Sequence, residues 1–324
     1  MSSITHADIP VVVHEVVIDK LSITFDIPNP QMQLLATRLQ EITHTNFGAR
    51  CWNPNYQAGA RIWLNDYLVR EKSTTSCIAV HTQPKFAHYE SCRVEWNPSK
   101  LSVDDVAFIA FDGILELDFS ALWDGKVTRI DLAVDVDNVL IDDFLFHVPK
   151  LQLFENRFKS GLTRYLGGRS GNRYYCCYDK VAQLIALNAK THPSNKVAVP
   201  DHPRMRLEAV LKPELWWPEV RSIPNPFEML QLRRFSAATT TNKKGDSDLR
   251  LLLRAARYEG LNAALSVCNK RDKKRLLEQV LESQETCGWW DPVGLWGGFD
   301  KSFLEIDALM KPETVAFKNA ANFN

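Results

Sequence analysis

The chain is 324 residues long and 45% hydrophobic, with 39 acidic and 39 basic side chains and a formal charge of zero; such a chain can bury a substantial core and has room for two domains. Its seven cysteines include no CxxC pair, which excludes a disulfide framework or a cysteine-based zinc site and fits a reducing cytoplasm. The opening MSSITHADIPVVVHEVVIDK has no basic leader, and even VAFIAFDGILEL breaks at Asp112, so neither a signal peptide nor a membrane partner is expected.

Along the chain, VVIDKLSITFDI alternates as a strand, and beyond PNPQ the spacing in MQLLATRLQEIT becomes that of a helix. RIWLNDYLV, TSCIAVHTQ and ESCRVEWNP read as further strands. SVDDVAFIAFDGIL is predicted to be a helix capped by Ser102, with Asp104 and Asp105 in its first turn. Three β segments follow: VTRIDLAVDV, the pair TRYLGG and RYYCCYDK around a turn, and MRLEAVLK. PELWWPEVRSIPNP is a proline-punctuated connection and SAATTTNKKGDSD a loop or hinge. DLRLLLRAARYEGLNAALSV and KKRLLEQVLESQ read as two helices, with Arg250, Arg254 and Arg257 spaced to share one face. A tail containing GWWDPVGLWGGFD closes the chain. The expected fold is α+β, a mainly antiparallel sheet with helices packed on it, divided into residues 10–228 and a basic, helical C-terminal region at 229–324.

The zero net charge hides segregation. Val103 to Phe144 carries eleven acids against Lys126 and Arg129. Arg157 to Lys212 carries eleven bases against three acids, and Met229 to Arg275 twelve against four. Two basic stretches can hold a polyanion without a basic total, although a solvated surface has the same composition.

Strand alternation sorts the polar residues into faces. In VTRIDLAVDV, Arg129, Asp131, Ala133 and Asp135 share one side, and Thr128, Ile130, Leu132, Val134 and Val136 form a core face. In MRLEAVLK, Arg206 and Glu208 share a side with Val210. If these strands are neighbours, Asp131 and Glu208 can meet as oxygen ligands for Mg²⁺ or Mn²⁺, each beside an arginine able to bind phosphate. Asp135 lies about 13 Å further along a straight strand, too far to join the same ion without a bend. In RYYCCYDK, Tyr174, Cys176, Tyr178 and Lys180 share a face, and Tyr178 with Lys180 is a sensible phosphotransfer pair, because a free phenol near pKa 10 needs a cation to become a nucleophile at neutral pH. Packing in an aromatic-rich strand is the other meaning of the same residues. GGRSGN lacks the ending of a P-loop and reads as a hairpin turn, with Arg169 or Ser170 placed to touch phosphate. The eight histidines show no metal-ligand spacing. Trp216, Trp217, Trp289 and Trp290 suit base stacking or, more commonly, packing.

The ordered set LSITFDIP, TRIDLAVDV, TRYLGGRSGNRYYCCYDK and RMRLEAVLK resembles the replication initiation factor (Rep-trans) family of rolling-circle replication initiators, nearest to the filamentous phage proteins of the RstA kind, over roughly residues 15 to 240. The resemblance implies that Tyr178 attacks a phosphodiester of origin DNA, single-stranded or in a hairpin, leaving a 5′-phosphotyrosyl link and a free 3′-hydroxyl. It implies that Asp131 and Glu208, with Asp135 as a less certain third acid, hold a divalent metal. Lys180 would assist, and Arg129, Arg169, Arg173 and Arg206 with Ser170 would bind DNA. The partners it implies are a host helicase and polymerase in a bacterial cytoplasm, with a homodimer as a further possibility. A protein that binds origin DNA without cutting it is the alternative. Tyr174, on the face of Tyr178, stands as the rival nucleophile.

Overall fold

The computed structural model describes residues 10–45, 48–63, 77–101, 106, 115–117, 119–151, 153–158, 161–191, 196–234, 246–259, 261–283 and 286–311. Strands β1 (Val12–Val13) and β2 (Val17–Phe25) lead into helix α1 (Asn29–Ile42), then β3 (Gly48–Arg50), β4 (Tyr56–Trp63), β5 (Cys77–Pro84) and β6 (Cys92–Trp96). Next come β7 (Lys126–Asp137), β8 (Phe144–His147), β9 (Leu153–Phe158), β10 (Gly161–Leu166), β11 (Arg173–Asp179) and helix α2 (Lys180–Asn188). β12 (Arg204–Leu211), β13 (Leu215–Trp216) and β14 (Gln231–Arg234) precede the helices α3 (Asp246–Glu259), α4 (Leu261–Ser266), α5 (Lys270–Ser283), α6 (Pro292–Leu295) and α7 (Gly297–Met310). The helix expected at 102–115 lies almost wholly outside the described residues, as does the second half of RIWLNDYLV.

The fold is α+β, as the sequence indicated. One large sheet runs β3-β4-β5-β6-β2-β7-β12-β11-β10-β9, with β1 and β13 added to β7, while β8 and β14 form a separate pair. The central ladders are antiparallel. Ile130, Leu132, Val134 and Val136 of β7 are buried in the main core, as alternation requires. Thr128 departs from that pattern. Opposite Ser22 and Ile23 the register skips a residue, so Val127, not Thr128, takes the core position, and Thr128 is turned to the polar side.

That polar side begins with a compact charge cluster. Lys20 Nζ lies 2.6 Å from Glu95, Ser22 Oγ donates to Glu95 at 2.8 Å, and Arg93 donates to Glu95, Ser22 and the bulged Thr128 at 3.3, 2.8 and 3.1 Å. Burial alone would raise the Glu95 carboxyl, but Lys20, Arg93 and Ser22 overcome it and bring its pKa down to about 2. Because the folded pKa lies below the ordinary value of 4.5, the stabilisation is complete above that value and disappears as pH falls towards about 2. Glu95→Gln is therefore expected to cost on the order of 2–3 kcal/mol at neutral pH, with the gap to the parent closing as unfolding is followed from pH 5 down to pH 2. A gap independent of pH would show that the charge is not responsible.

Helix α1 packs on β4 and β5 and α7 on β2. Phe299, Phe303, Ile306 and Met310 of α7 enter the main core. The proline-punctuated connection packs as well: Trp217 is fully buried, stacks on Phe303 at 4.9 Å and donates its indole N–H to Asp307 at 3.2 Å. Trp290 donates to the Leu230 carbonyl and meets Phe227 edge-on. These tryptophans are packing residues; Trp216, with Lys126 over its ring at 4.9 Å, stays half exposed. The long helix expected at 248–267 divides into α3 and α4, which close a second small core with α5 and Leu145. Among the described residues no helix is long and apolar enough to cross a membrane.

Candidate active site

Register decides which polar side chains meet. Glu208 of β12 lies opposite Ala133 of β7 and Cys176 of β11; Arg206 lies opposite Asp135 and Tyr178. Asp131 and Glu208 thus sit on neighbouring strands, one pair out of line, at a diagonal where long side chains can still reach each other. Tyr178, Glu208, Arg206 and Asp135 form one group on a single face. Asp19 joins it from β2, where a register shift between Ile18 and Lys20 breaks the alternation.

Asp179 ends β11 and caps α2 by accepting the Ala182 N–H at 2.9 Å, so the strand passes into the helix without a loop. Lys180 is consequently the first residue of α2, not the next strand position. It still approaches Tyr178, with Nζ 5.7 Å from the ring centroid and 2.8 Å from the Gln183 side-chain oxygen. The helix packs over β11 and β12 and roofs a cavity of about 650 Å³. Asp19, Tyr178, Lys180, Arg206 and Glu208 line its polar part, and Leu184, Leu187 and Val197 its apolar wall.

The Tyr178 hydroxyl donates a 2.5 Å hydrogen bond to Glu208 Oε1. Burial, then the Glu208 charge, push the phenol pKa well up, so the resting group is a neutral phenol. Burial also raises the Glu208 carboxyl, with help from Asp19 and Asp131 and against the Tyr178 hydrogen bond and Arg206. Glu208 is therefore a stronger base than an exposed glutamate, already in contact with the proton it would accept. Burial and the Arg206 guanidinium lower Lys180 to about 8, which makes it a proton donor that works near neutrality.

Neither arginine of the Arg-x-acid strands is free. Arg129 grips Asp131 on its own strand with two bonds of 2.7 Å. Arg206 grips Asp135 across the ladder with two bonds of 2.6 Å and reaches Asp19 at 3.0 Å. Burial raises Asp131 despite its arginine. The oxygen donors near Glu208 thus suit a hard divalent cation in kind. Their arrangement does not complete a ligand set: among the described residues no three histidine, cysteine or acidic side chains form a group that could hold a metal.

The hairpin turn at 167–172 lies at the opposite end of β11 from Tyr178. Arg169 stacks over Tyr165 at 4.2 Å, Ser170 is exposed, and Arg173 shares the register parity of Tyr175, on the other face. These three residues are not in the cavity. Tyr175 is fully buried and donates to the Pro226 carbonyl at 2.7 Å, which removes it as a nucleophile. Tyr174 keeps the face of Tyr178 but sits four residues back, beside Arg129, and does not line the cavity. Alternation could not have found Asp19, although an acid followed by a lysine in an otherwise apolar strand was a visible irregularity.

No family model matches this chain, and no curated protein does. Among solved structures, a rolling circle replication initiator protein from Geobacillus stearothermophilus superposes with a TM-score of 0.38 at 16% identity, over 72% of this chain and 91% of that one. A superposition that loose transfers neither a fold family nor a residue role to this chain.

Proposed function

We propose that this chain is a rolling-circle replication initiator that cuts one strand of origin DNA with Tyr178. The observation that carries this reading is the Tyr178–Glu208 hydrogen bond, set inside a cavity that also holds Arg206 and Lys180. The four ordered motifs supply the reaction class. Glu208 takes the phenol proton as the tyrosine oxygen bonds to phosphorus. The bond from phosphorus to the 3′ oxygen breaks, and that oxygen receives a proton from Lys180. The products are a 5′-phosphotyrosyl link and a free 3′-hydroxyl. The apolar wall of Leu184, Leu187 and Val197 excludes water from the reacting phosphate and so favours transfer to tyrosine over hydrolysis.

The cavity lining sets three acids, Asp19, Asp179 and Glu208, against three bases, Lys100, Lys180 and Arg206, so it offers a phosphodiester no net positive charge of its own. Mg²⁺ or Mn²⁺ is proposed as the cofactor, with Glu208 and Asp131 as the carboxylates that would hold it; Asp131 is gripped by Arg129 as Asp135 is by Arg206, and would have to release that arginine to do so. Such an ion, when bound, would supply polarisation of a non-bridging phosphate oxygen. The test is incubation of the full chain with a labelled single-stranded or supercoiled origin, with Mg²⁺, with Mn²⁺ and with a chelator. A denaturation-resistant protein–DNA adduct is expected with either metal and not with the chelator. DNA binding without an adduct under all three conditions would instead identify a non-cutting origin-binding protein.

A further inference from the structure

The basic C-terminal stretch plays no part in the cavity chemistry, and its geometry has a reading of its own. Helices α4 and α5 are joined by three residues, Val267, Cys268 and Asn269, and pack with α3 around a small separate core. Asn269 sets where α5 begins: its side-chain oxygen accepts the Asp272 N–H at 2.9 Å and its amide donates to the Asp272 carboxylate at 2.7 Å. Leu276 and Val280, four apart, fasten one side of α5 to that core. The N-terminal half of α5 presents Lys270, Arg271, Lys273, Lys274 and Arg275, all exposed. Lys274 and Arg275 answer Glu278 and Asp272. Lys270, Arg271 and Lys273 form no ion pair among the described residues, and they lie where the helix dipole adds positive potential.

We infer that α3, α4 and α5 form a helix-turn-helix reader of double-stranded DNA, with the N-terminal half of α5 entering the major groove. Two short-linked helices braced by a third, with the second carrying the cations at its N-terminal end, is the connectivity of that motif. Its 14 residues span about 21 Å, and a helix of ordinary diameter fits a major groove about 12 Å wide. A single strand is the less suitable occupant, because sequence-tolerant strand binding relies on aromatic stacking and α5 contains no aromatic residue. The region packs on β8 and β9 and shares no lining residue with the Tyr178 cavity, so duplex binding is independent of cutting.

The test measures binding of the full chain to a random-sequence 30-base-pair duplex pool across a salt series, with chelator present so that no cutting occurs. The triple variant Lys270→Ala, Arg271→Ala, Lys273→Ala keeps helix propensity and leaves Leu276 and Val280 untouched. It is expected to bind the pool at least tenfold more weakly at about 0.1 M salt, with a slope of log affinity against log salt shallower by about 2 to 3. Selection from the same pool is expected to enrich a short motif with the parent chain and none with the variant. An unchanged melting transition and unchanged cutting of a single-stranded oligonucleotide by the variant separate this result from misfolding. Parent-like affinity and slope in the variant would overturn the proposal, as would selection that enriches the same motif. Failure of Tyr178 to form an adduct would leave the affinity, salt slope, selection and melting measurements unaffected and bears only on the cutting chemistry.

Discussion

Tyr178→Phe abolishes the covalent protein–DNA adduct while salt-sensitive DNA binding persists; that is the expected result with the largest effect. The argument is geometric. Two tyrosines, Tyr165 and Tyr178, line the α2-roofed cavity; Tyr178 is the one whose hydroxyl is bonded to Glu208, and the change removes only that oxygen. It also leaves Glu208, buried and raised in pKa, without its donor, so a stability loss of about 1–3 kcal/mol should accompany it. Denaturation of the variant must therefore be measured beside its activity. Tyr174→Phe should keep the adduct, because Tyr174 lies beside Arg129 and outside the cavity lining. An adduct that survives Tyr178→Phe and vanishes with Tyr174→Phe would move the nucleophile four residues up the strand.

Glu208→Gln should slow adduct formation by about 10²–10⁴-fold, the usual range for losing a positioned general base. The glutamine oxygen can still accept the Tyr178 hydrogen bond, so the phenol keeps its place while the carboxylate that would take its proton and help hold the metal is lost. Folding and binding should be nearly unchanged. Single-turnover rates with labelled single-stranded DNA check this, and a wild-type rate would exclude Glu208 as both proton acceptor and metal holder.

Much of this site was legible in the sequence because two strands obeyed a two-residue period. Ile130, Leu132 and Val134 marked the core side of β7, which left Asp131 and Asp135 on the other, and Glu208 and Tyr178 followed by the same rule. What alternation could not carry was register. Whether Asp131 faces Glu208 or Val210 depends on the pairing of distant segments, and the pairing gave Val210. It also matched Arg206 with Asp135, so an arginine expected to face phosphate is occupied by a carboxylate from another strand. Backbone irregularities were equally hidden: the skip at Thr128 and the shift at Asp19 move side chains between faces without any change in residue type. Lys180 was placed near Tyr178 by strand parity, yet it arrives there because Asp179 starts a helix. The last helix was overlooked beneath the glycines and proline of GWWDPVGLWGGFD, although Phe299, Phe303, Ile306 and Met310 already carried a helical spacing.

The direct passage from β11 into α2 has a mechanical corollary. Tyr178 is clamped by paired strands on both flanks and by a capped helix one residue away, so it has almost no reach of its own. In such an arrangement the side chain is the anvil, and whatever reacts with it would have to do the travelling. If Tyr178 is the nucleophile proposed above, the scissile phosphate would have to leave any paired structure and come down to it, because the tyrosine cannot reach out.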